Sequence, residues 1–438
     1  MTALEIGFWS FGAILLLIAV RIPIGVALGG IAFLGITQLR DVDVAFALIG
    51  DTPFEFAAHY SLSAIPMFLL MGSVAHHSGI SHSLFRAARL WFSGLPGGLA
   101  VATNLACAAF AAASGSSVAT AAAMGRIAIP EMLKQGYEKG LATGVVASAG
   151  TLGSLIPPSI LFVLYGIFAE VSIVKLLIAG VFPGLLTAAI YTIMIIARCK
   201  LNPSLAPPID PAEIAALRPE RMRALLQVWP LVALIVGIIG GLYAGIVTPT
   251  EAGAGGAVLA FVISGIQGRL NYQVFRDSLI EAISATARIF FVAVGAVMYT
   301  KFLALTGMPT FLGNVIGDWA LDPILLVVAA SILYLILGMF LDPLGLLLLT
   351  LPILLPMFEG LNLDLIWFGV LVVKFLEIGL LTPPVGFNVY VIKSVVGDTI
   401  PLETIFRGVA WFLACEVVVV VLLVAFPEIS LYLPSTMD

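Results

Sequence analysis

The stretch Ser148-Ala-Gly-Thr-Leu-Gly-Ser-Leu-Ile-Pro-Pro-Ser159 falls inside an apolar segment, about 140 to 169, that is long enough to cross a bilayer. Its glycines, hydroxyls and paired prolines cannot continue a helix, because proline has no N–H to donate and its ring collides with the preceding turn. Inside hydrocarbon, unwound backbone is tolerated only where it is packed in protein or lines a cavity. The same break returns 226 positions later as Gly379-Leu-Leu-Thr-Pro-Pro-Val-Gly386, with Gly153 matching Gly379 and Pro157-Pro158 matching Pro383-Pro384. Residues 1 to 212 and 227 to 438 hold 12 prolines each, so a fixed shift should align about 0.7 of them by chance. Pro23 with Pro249, Pro130 with Pro356 and both Pro-Pro pairs fall on the shift, as do Gly29-Gly30 with Gly255-Gly256. The sequence therefore predicts two repeats, each built around a broken transmembrane helix.

The rest of the chain must then be membrane-embedded. Of its 438 residues 61% are hydrophobic and only 10% charged, too little polar surface for a soluble globule. The apolar segments are continuous rather than alternating and approach the ~20 residues of a spanning helix, which excludes a β-barrel and predicts an all-α polytopic membrane protein. Cys107, Cys199 and Cys415 are far apart in or beside apolar segments and read as packing residues. The opening Met1-Thr-Ala-Leu-Glu5 has no basic start or clear cleavage site, so the first apolar run reads as a retained helix. No phosphate-loop pattern occurs, so nothing points to ATP as the driving force. No group of His, Asp and Glu or evident nucleophile points to an enzyme.

Taken in order, the first repeat is expected over 1–200. Scaffold helices fill about 5–78: two short crossings over 5–38 split at Arg21-Ile-Pro23, a polar stretch from Arg40 to Glu55, and a crossing at 56–78. A surface helix follows at 80–93, then hairpin one at 97–134, whose arms of about 98–113 and 118–133 are separated by Ser114-Gly-Ser-Ser117. Each arm is too short to cross, so the pair reads as re-entrant. The broken helix 140–169 and a helix at 172–198 complete the repeat. A proline-rich polar connector spans 201–227. The second repeat, 228–438, is expected to hold helices at 228–247, 250–266 and 281–304, and a surface helix at 308–320. Hairpin two at 323–358 with its tip near Leu341-Asp-Pro343, a broken helix at 365–395 and a last helix at 404–426 follow.

Five crossings per repeat would invert the halves relative to one another. Lys and Arg concentrate on the connector, including Arg198, Lys200, Arg221 and Arg223, and on segments that share its side under this reading. That side is then cytoplasmic and both termini are periplasmic. Inverted repeats with broken helices meeting at mid-membrane mark a secondary transporter's site. Carbonyls ending one half-helix can hold Na⁺, and the N-terminus of the next can face an anion. Ser114, Ser116, Ser117, Ser148, Thr151, Ser154, Ser159 and Thr382 add neutral oxygens. The abundance of hydroxyl and backbone oxygen over carboxylate favours Na⁺ over H⁺. Taken singly, a Pro-Pro pair can be only a kink, and Ser/Gly/Ala runs can be only close helix packing. Asp342-Pro343 reads equally as an ion ligand or as a helix cap and first turn. Arg126, Lys374, Glu377 and Glu251 are candidates because intramembrane charge is costly, although Lys374 and Glu377 sit three apart and can pair with each other.

Ser114-Gly-Ser-Ser117, Gly150-Thr-Leu-Gly-Ser-Leu-Ile-Pro-Pro-Ser159, Thr248-Pro-Thr-Glu-Ala252 and Gly379-Leu-Leu-Thr-Pro-Pro-Val-Gly386 together resemble the large membrane subunit of tripartite ATP-independent periplasmic (TRAP) transporters, over essentially the whole chain. The resemblance implies an ion-transporter-superfamily-like elevator fold, in which hairpins and broken helices move against a scaffold, and Na⁺-driven import of an organic acid. It implies two partners, a small four-helix membrane subunit and a soluble periplasmic substrate-binding protein, in a bacterial or archaeal inner membrane. It would place one Na⁺ among Ser114, Ser116, Gly150 and Gly153, and another among Gly338, Asp342, Gly379 and Thr382. The substrate carboxylate would lie near Ser117, Thr151, Pro157, Pro158, Ser159 and Arg126, and near Pro383, Pro384 and Gly386. No cofactor is expected beyond the coupling ion, and no nucleic acid. No small-subunit helices precede the first repeat, so that partner is expected as a separate chain. A stand-alone dicarboxylate or gluconate-type symporter, and a membrane-embedded enzyme or assembly scaffold, are the alternatives.

Overall fold

The computed structural model describes residues 2–207, 211–318 and 323–437; residues 208–210 of the connector and 319–320 of the second surface helix lie outside them. All the described regular structure is helical. The element order of one half recurs in the other at the shift already read from the prolines. Ala3–Ala19 corresponds to the helix Trp229–Tyr243, which carries a π turn at Val236–Gly240, Ile24–Leu39 to Pro249–Ile266, and Ile80–Phe92 to Met308–Asp318. Ser117–Lys134 corresponds to Pro343–Gly360, Lys139–Thr151 to Leu365–Gly379, and Ile160–Phe168 to Phe387–Val396. The scaffold helices pack reciprocally. Ile24–Leu39 lies along Tyr272–Thr306, and Pro249–Ile266 lies along Ala64–His77, so each half completes the other.

Glycine sets how closely these helices approach. A β-carbon on Gly295 would stand 2.5 Å from the Gly25 carbonyl oxygen. One on Gly144 would stand 2.6 Å from the Gly408 carbonyl carbon, and one on Gly408 would stand 1.9 Å from the Gly140 oxygen. The contacts are thus backbone to backbone, as expected where lipid gives helices no hydrophobic reason to associate and packing must supply it.

Several expected boundaries are corrected. The polar stretch Arg40 to Glu55 is a helix, Val42–Ala57, whose start is fixed by the Asp41 carboxylate accepting the Val44 N–H at 2.8 Å. The predicted crossing 56–78 is bent by 57° at the end of that helix and resumes through Tyr60–Ser63 into Ala64–His77. The crossing predicted at 281–304 begins earlier and runs for 35 residues, Tyr272–Thr306, with Asn271 capping its start. The helix expected at 172–198 runs as Ile173–Ala179 and Val181–Leu201. The connector carries a helix, Pro211–Leu226, docked on Ile80–Phe92. A short helix, Glu428–Ser435, follows the last crossing, Leu402–Ala425.

Candidate functional site

Both predicted hairpins form. The first turns at Gly115, between Gly98–Ser114 and Ser117–Lys134, with φ of 63° that only glycine adopts without strain. The second turns between Pro323–Gly338 and Pro343–Gly360, and there Asp342 acts as the cap, its Oδ1 accepting the Leu344 and Gly345 N–H groups at 3.1 Å. Both broken helices form as well. Lys139–Thr151 passes through a short 3₁₀ turn, Leu152–Ser154, and resumes at Ile160 with Ser159 as N-cap; Leu365–Gly379 stops and resumes at Phe387 after Gly386. The Pro157–Pro158 and Pro383–Pro384 peptide bonds are both cis.

Each hairpin tip sits in the mouth of its break. At the first, a β-carbon on Gly153 would lie 2.6 Å from the Ser116 carbonyl oxygen, one on Gly150 would lie 2.7 Å from the Ala121 β-carbon, and one on Gly115 would lie 2.6 Å from the Pro158 oxygen. Ser117 Oγ donates to the Thr151 carbonyl at 3.0 Å and also meets Ser154 Oγ. Ser114 Oγ pairs with Thr120 Oγ1 at 2.6 Å, and the Ser159 hydroxyl donates to the Ser154 carbonyl. At the second, Gly338 and Gly379 touch: a β-carbon on Gly379 would stand 2.9 Å from the Gly338 α-carbon. Thr382 Oγ1 donates to the Ile378 carbonyl at 2.7 Å.

Ser114, Ser116, Gly150 and Gly153 are therefore brought together, and Gly338 meets Gly379, while the hydrogen bonds of Asp342 and Thr382 stay within their own elements, to Leu344 and Gly345 and to Ile378. Arg126 is not at the tip. It is exposed, nine residues beyond Ser117 on the same helix, about 13 Å along the axis at ~1.5 Å per residue. The breaks also differ in cover. Residues 151–160 are all buried, whereas Pro383 and Pro384 are exposed. The cause lies in the helix crossing behind each. Gly180 and Gly184 let one helix press on Leu155 and Ile156, but the positions 226 later are Phe406 and Ala410, and Phe406 reaches Gly386 instead.

The two broken helices meet where the Asn388 amide Nδ2 donates to the Ala147 carbonyl at 3.1 Å. Asn388 Oδ1 and Ser148 Oγ beside that contact are buried oxygens that accept or donate no protein hydrogen bond. Buried polar atoms ordinarily find a partner. Hard oxygens of this kind, with the carbonyls freed at the ends of Lys139–Thr151 and Leu365–Gly379, suit a hard cation such as Na⁺ and carry no net charge.

The intramembrane charges resolve otherwise than as site ligands. Glu251 is committed to a capping box with Thr248, whose N–H it accepts at 2.8 Å. Lys374 does pair with Glu377, at 3.0 Å, but its Nζ also reaches Glu416 at 2.9 Å and Thr187 Oγ1 at 3.1 Å, and the Tyr191 hydroxyl donates to Glu416. Lys374, Glu377 and Glu416 are wholly buried. Glu416 is absent from the residues singled out by sequence, although a carboxylate in the middle of the last apolar helix was the available signal.

Two hairpins, each seated against a broken helix in an all-helical apolar chain, define a class, the polytopic membrane transporters. The fold is shared with two solved transporters at 14% identity. The Alcanivorax borkumensis YdaH transporter superposes with a TM-score of 0.60 over 90% of this chain and 91% of its own, and Neisseria gonorrhoeae MtrF with 0.57 over 88% and 85%. Residues 11–429 match the family described as tripartite ATP-independent periplasmic transporter, DctM component. The chain is 37% identical to the C4-dicarboxylate TRAP transporter large permease DctM of Pseudomonas aeruginosa, over 87% of this chain and 88% of the relative. It is 32% identical to the sialic acid large permease SiaM of Vibrio cholerae over 93% and 96%, and 31% identical to the isethionate permease DctMQ of Oleidesulfovibrio alaskensis over 96% and 65%. The chain belongs to the DctM family: it is a multi-pass inner-membrane large permease subunit of a TRAP transporter, not an enzyme.

Proposed function

We propose that this subunit imports an organic acid together with Na⁺ by an elevator motion, in which the hairpins and broken helices travel against the reciprocally packed scaffold. The observation that carries the reading is the seating of Ser114–Ser117 against Thr151–Ser154, which gathers hydroxyls, and of Gly338 against Gly379, each at a helix end where carbonyls are freed. In this reading one Na⁺ lies at each pairing. The substrate's carboxylate faces the half-helix N-termini at Ser159 and Gly386, beside Ser117, Thr151 and the proline pairs. The orphaned oxygens of Ser148 and Asn388 are where further polar ligands would bind. The halves are inverted, with both termini periplasmic. A periplasmic binding protein delivers substrate and a small membrane subunit completes the scaffold; the DctMQ name of one relative fits a partner that can also be fused.

The test is uptake into proteoliposomes holding this chain and its small subunit, with radiolabelled C4-dicarboxylates, sialic acid and isethionate as the first panel. Uptake of one of them that requires both an inward Na⁺ gradient and the binding protein supports the proposal. Uptake without the binding protein points to a stand-alone symporter, and uptake driven equally by a pH gradient in the absence of Na⁺ removes the Na⁺ assignment.

A further inference from the structure

Asn388, wholly buried in the first turn after the second break, bonds in two directions. Its backbone N–H donates to the Leu380 carbonyl at 3.1 Å and so closes the break behind it. Its side-chain Nδ2 donates, also at 3.1 Å, to the Ala147 carbonyl on the broken helix of the other repeat. Ala147 offers only a carbonyl to that contact, so the amide must turn its nitrogen toward it. The position 226 earlier is Phe162, which packs at Gly180 and has no polar side-chain atom to return the bond. The tie is thus made from the second repeat alone.

Followed outward, each end of the tie reaches a hairpin tip. On one side the carbonyl next after that of Ala147, on Ser148, accepts Thr151 Oγ1 at 2.7 Å, and the Thr151 carbonyl accepts Ser117 Oγ at 3.0 Å. On the other, Leu380 directly follows Gly379, which touches Gly338. Lys139–Thr151 is one helix, so a turn of its last carbonyls toward an ion moves Ala147, which lies about one turn before its end. Energetic coupling between separated sites is carried by contiguous hydrogen-bonded and packed elements of this kind.

We infer that Asn388 is a positioning residue that couples the two breaks, so that Na⁺ bound at one strengthens binding at the other; this rests on the Na⁺ reading given above. The test titrates Na⁺, against choline at constant ionic strength, into the full chain with its small subunit in detergent and reads the melting temperature. The limiting slope against the logarithm of Na⁺ concentration counts the ions bound, and the approach to it gives their coupling. The parent should bind an ion at each break cooperatively. Asn388→Leu, which fills the space, and Asn388→Ala, which leaves it open, should keep the slope and lose the cooperativity. The half-saturating concentration should rise about twofold, the square root of the ~5-fold coupling at the low end for linked sites. Parental cooperativity in either folded variant overturns the inference, and so does a slope lower by one ion, which makes Asn388 an ion ligand instead. Non-cooperative Na⁺ binding by the parent overturns it without any variant. No Na⁺ response in the parent removes the Na⁺ reading itself, a result distinct from all of these.

Discussion

Replacing Lys374 by methionine separates charge compensation from packing at the most deeply buried polar cluster. The methionine keeps most of the side-chain length while removing the one cation from between Glu377 and Glu416, where it makes contacts at 3.0 and 2.9 Å, and from Thr187 at 3.1 Å. None of the three charged side chains has any solvent exposure to fall back on. Removing one partner of a buried ion pair costs about 3–5 kcal/mol. At ~2 °C per kcal/mol for a large domain, that is about 6–10 °C of melting temperature. The chain supplies its own reporter, because Cys107, Cys199 and Cys415 are all buried and free, so a thiol-reactive fluorophore reads unfolding in detergent directly. The triple variant Lys374→Met/Glu377→Gln/Glu416→Gln should recover most of the loss, since removing all members of a buried ionic cluster is often close to neutral. A Lys374→Met melt within about 1 °C of the parent would refute the reasoning. A triple variant no better than the single would place the loss in shape rather than charge.

Gly153→Ala should abolish uptake while Gly255→Ala leaves it intact, because the added β-carbon meets Ser116 at 2.6 Å in the first case and nothing within 4 Å in the second. Comparable uptake by the two variants would show that the tip need not seat in the break. Gly408→Val, whose β-carbon would fall 1.9 Å from the Gly140 oxygen, should lower the melting temperature beyond the ~1–3 kcal/mol of ordinary overpacking; elution of a stable, monodisperse protein at the parental melting temperature contradicts the close seam. Arg86→Ala, by contrast, removes a pair that is more than half exposed on both sides, worth ~0–1 kcal/mol, and should shift the melt by no more than about 2 °C. A larger drop would mean that the connector helix depends on that contact.

What was legible in the sequence is what local chemistry dictates. Proline pairs and glycines cannot sit in a continuous helix, so the breaks at Pro157-Pro158 and Pro383-Pro384 and the turn at Gly115 could be placed to within a residue or two. Val42–Ala57 was hidden because its acidic residues and Pro53 look like a loop, while the Asp41 cap that makes it a helix is a single side chain. The Lys374 cluster was only half visible. Glu377 is one turn away on the same helix, but Glu416 is 42 residues on and Thr187 is 187 back, so only the packing of three helices brings them together. The unequal cover of the two breaks was equally out of reach, since it depends on which helix crosses behind each and on Gly180 being matched by Phe406.

The reciprocal packing of the scaffold also has a consequence for biosynthesis. Ile24–Leu39 finds its partner in Tyr272–Thr306, so more than 230 residues separate the end of one helix from the start of the other. At ~5–20 residues per second, a ribosome needs roughly 12 to 47 s to make that interval. Throughout that time the early helix is inserted with its glycine face open, and neither half can mature as an independent folding unit. Any factor that shields nascent membrane segments must hold this one until the second half arrives.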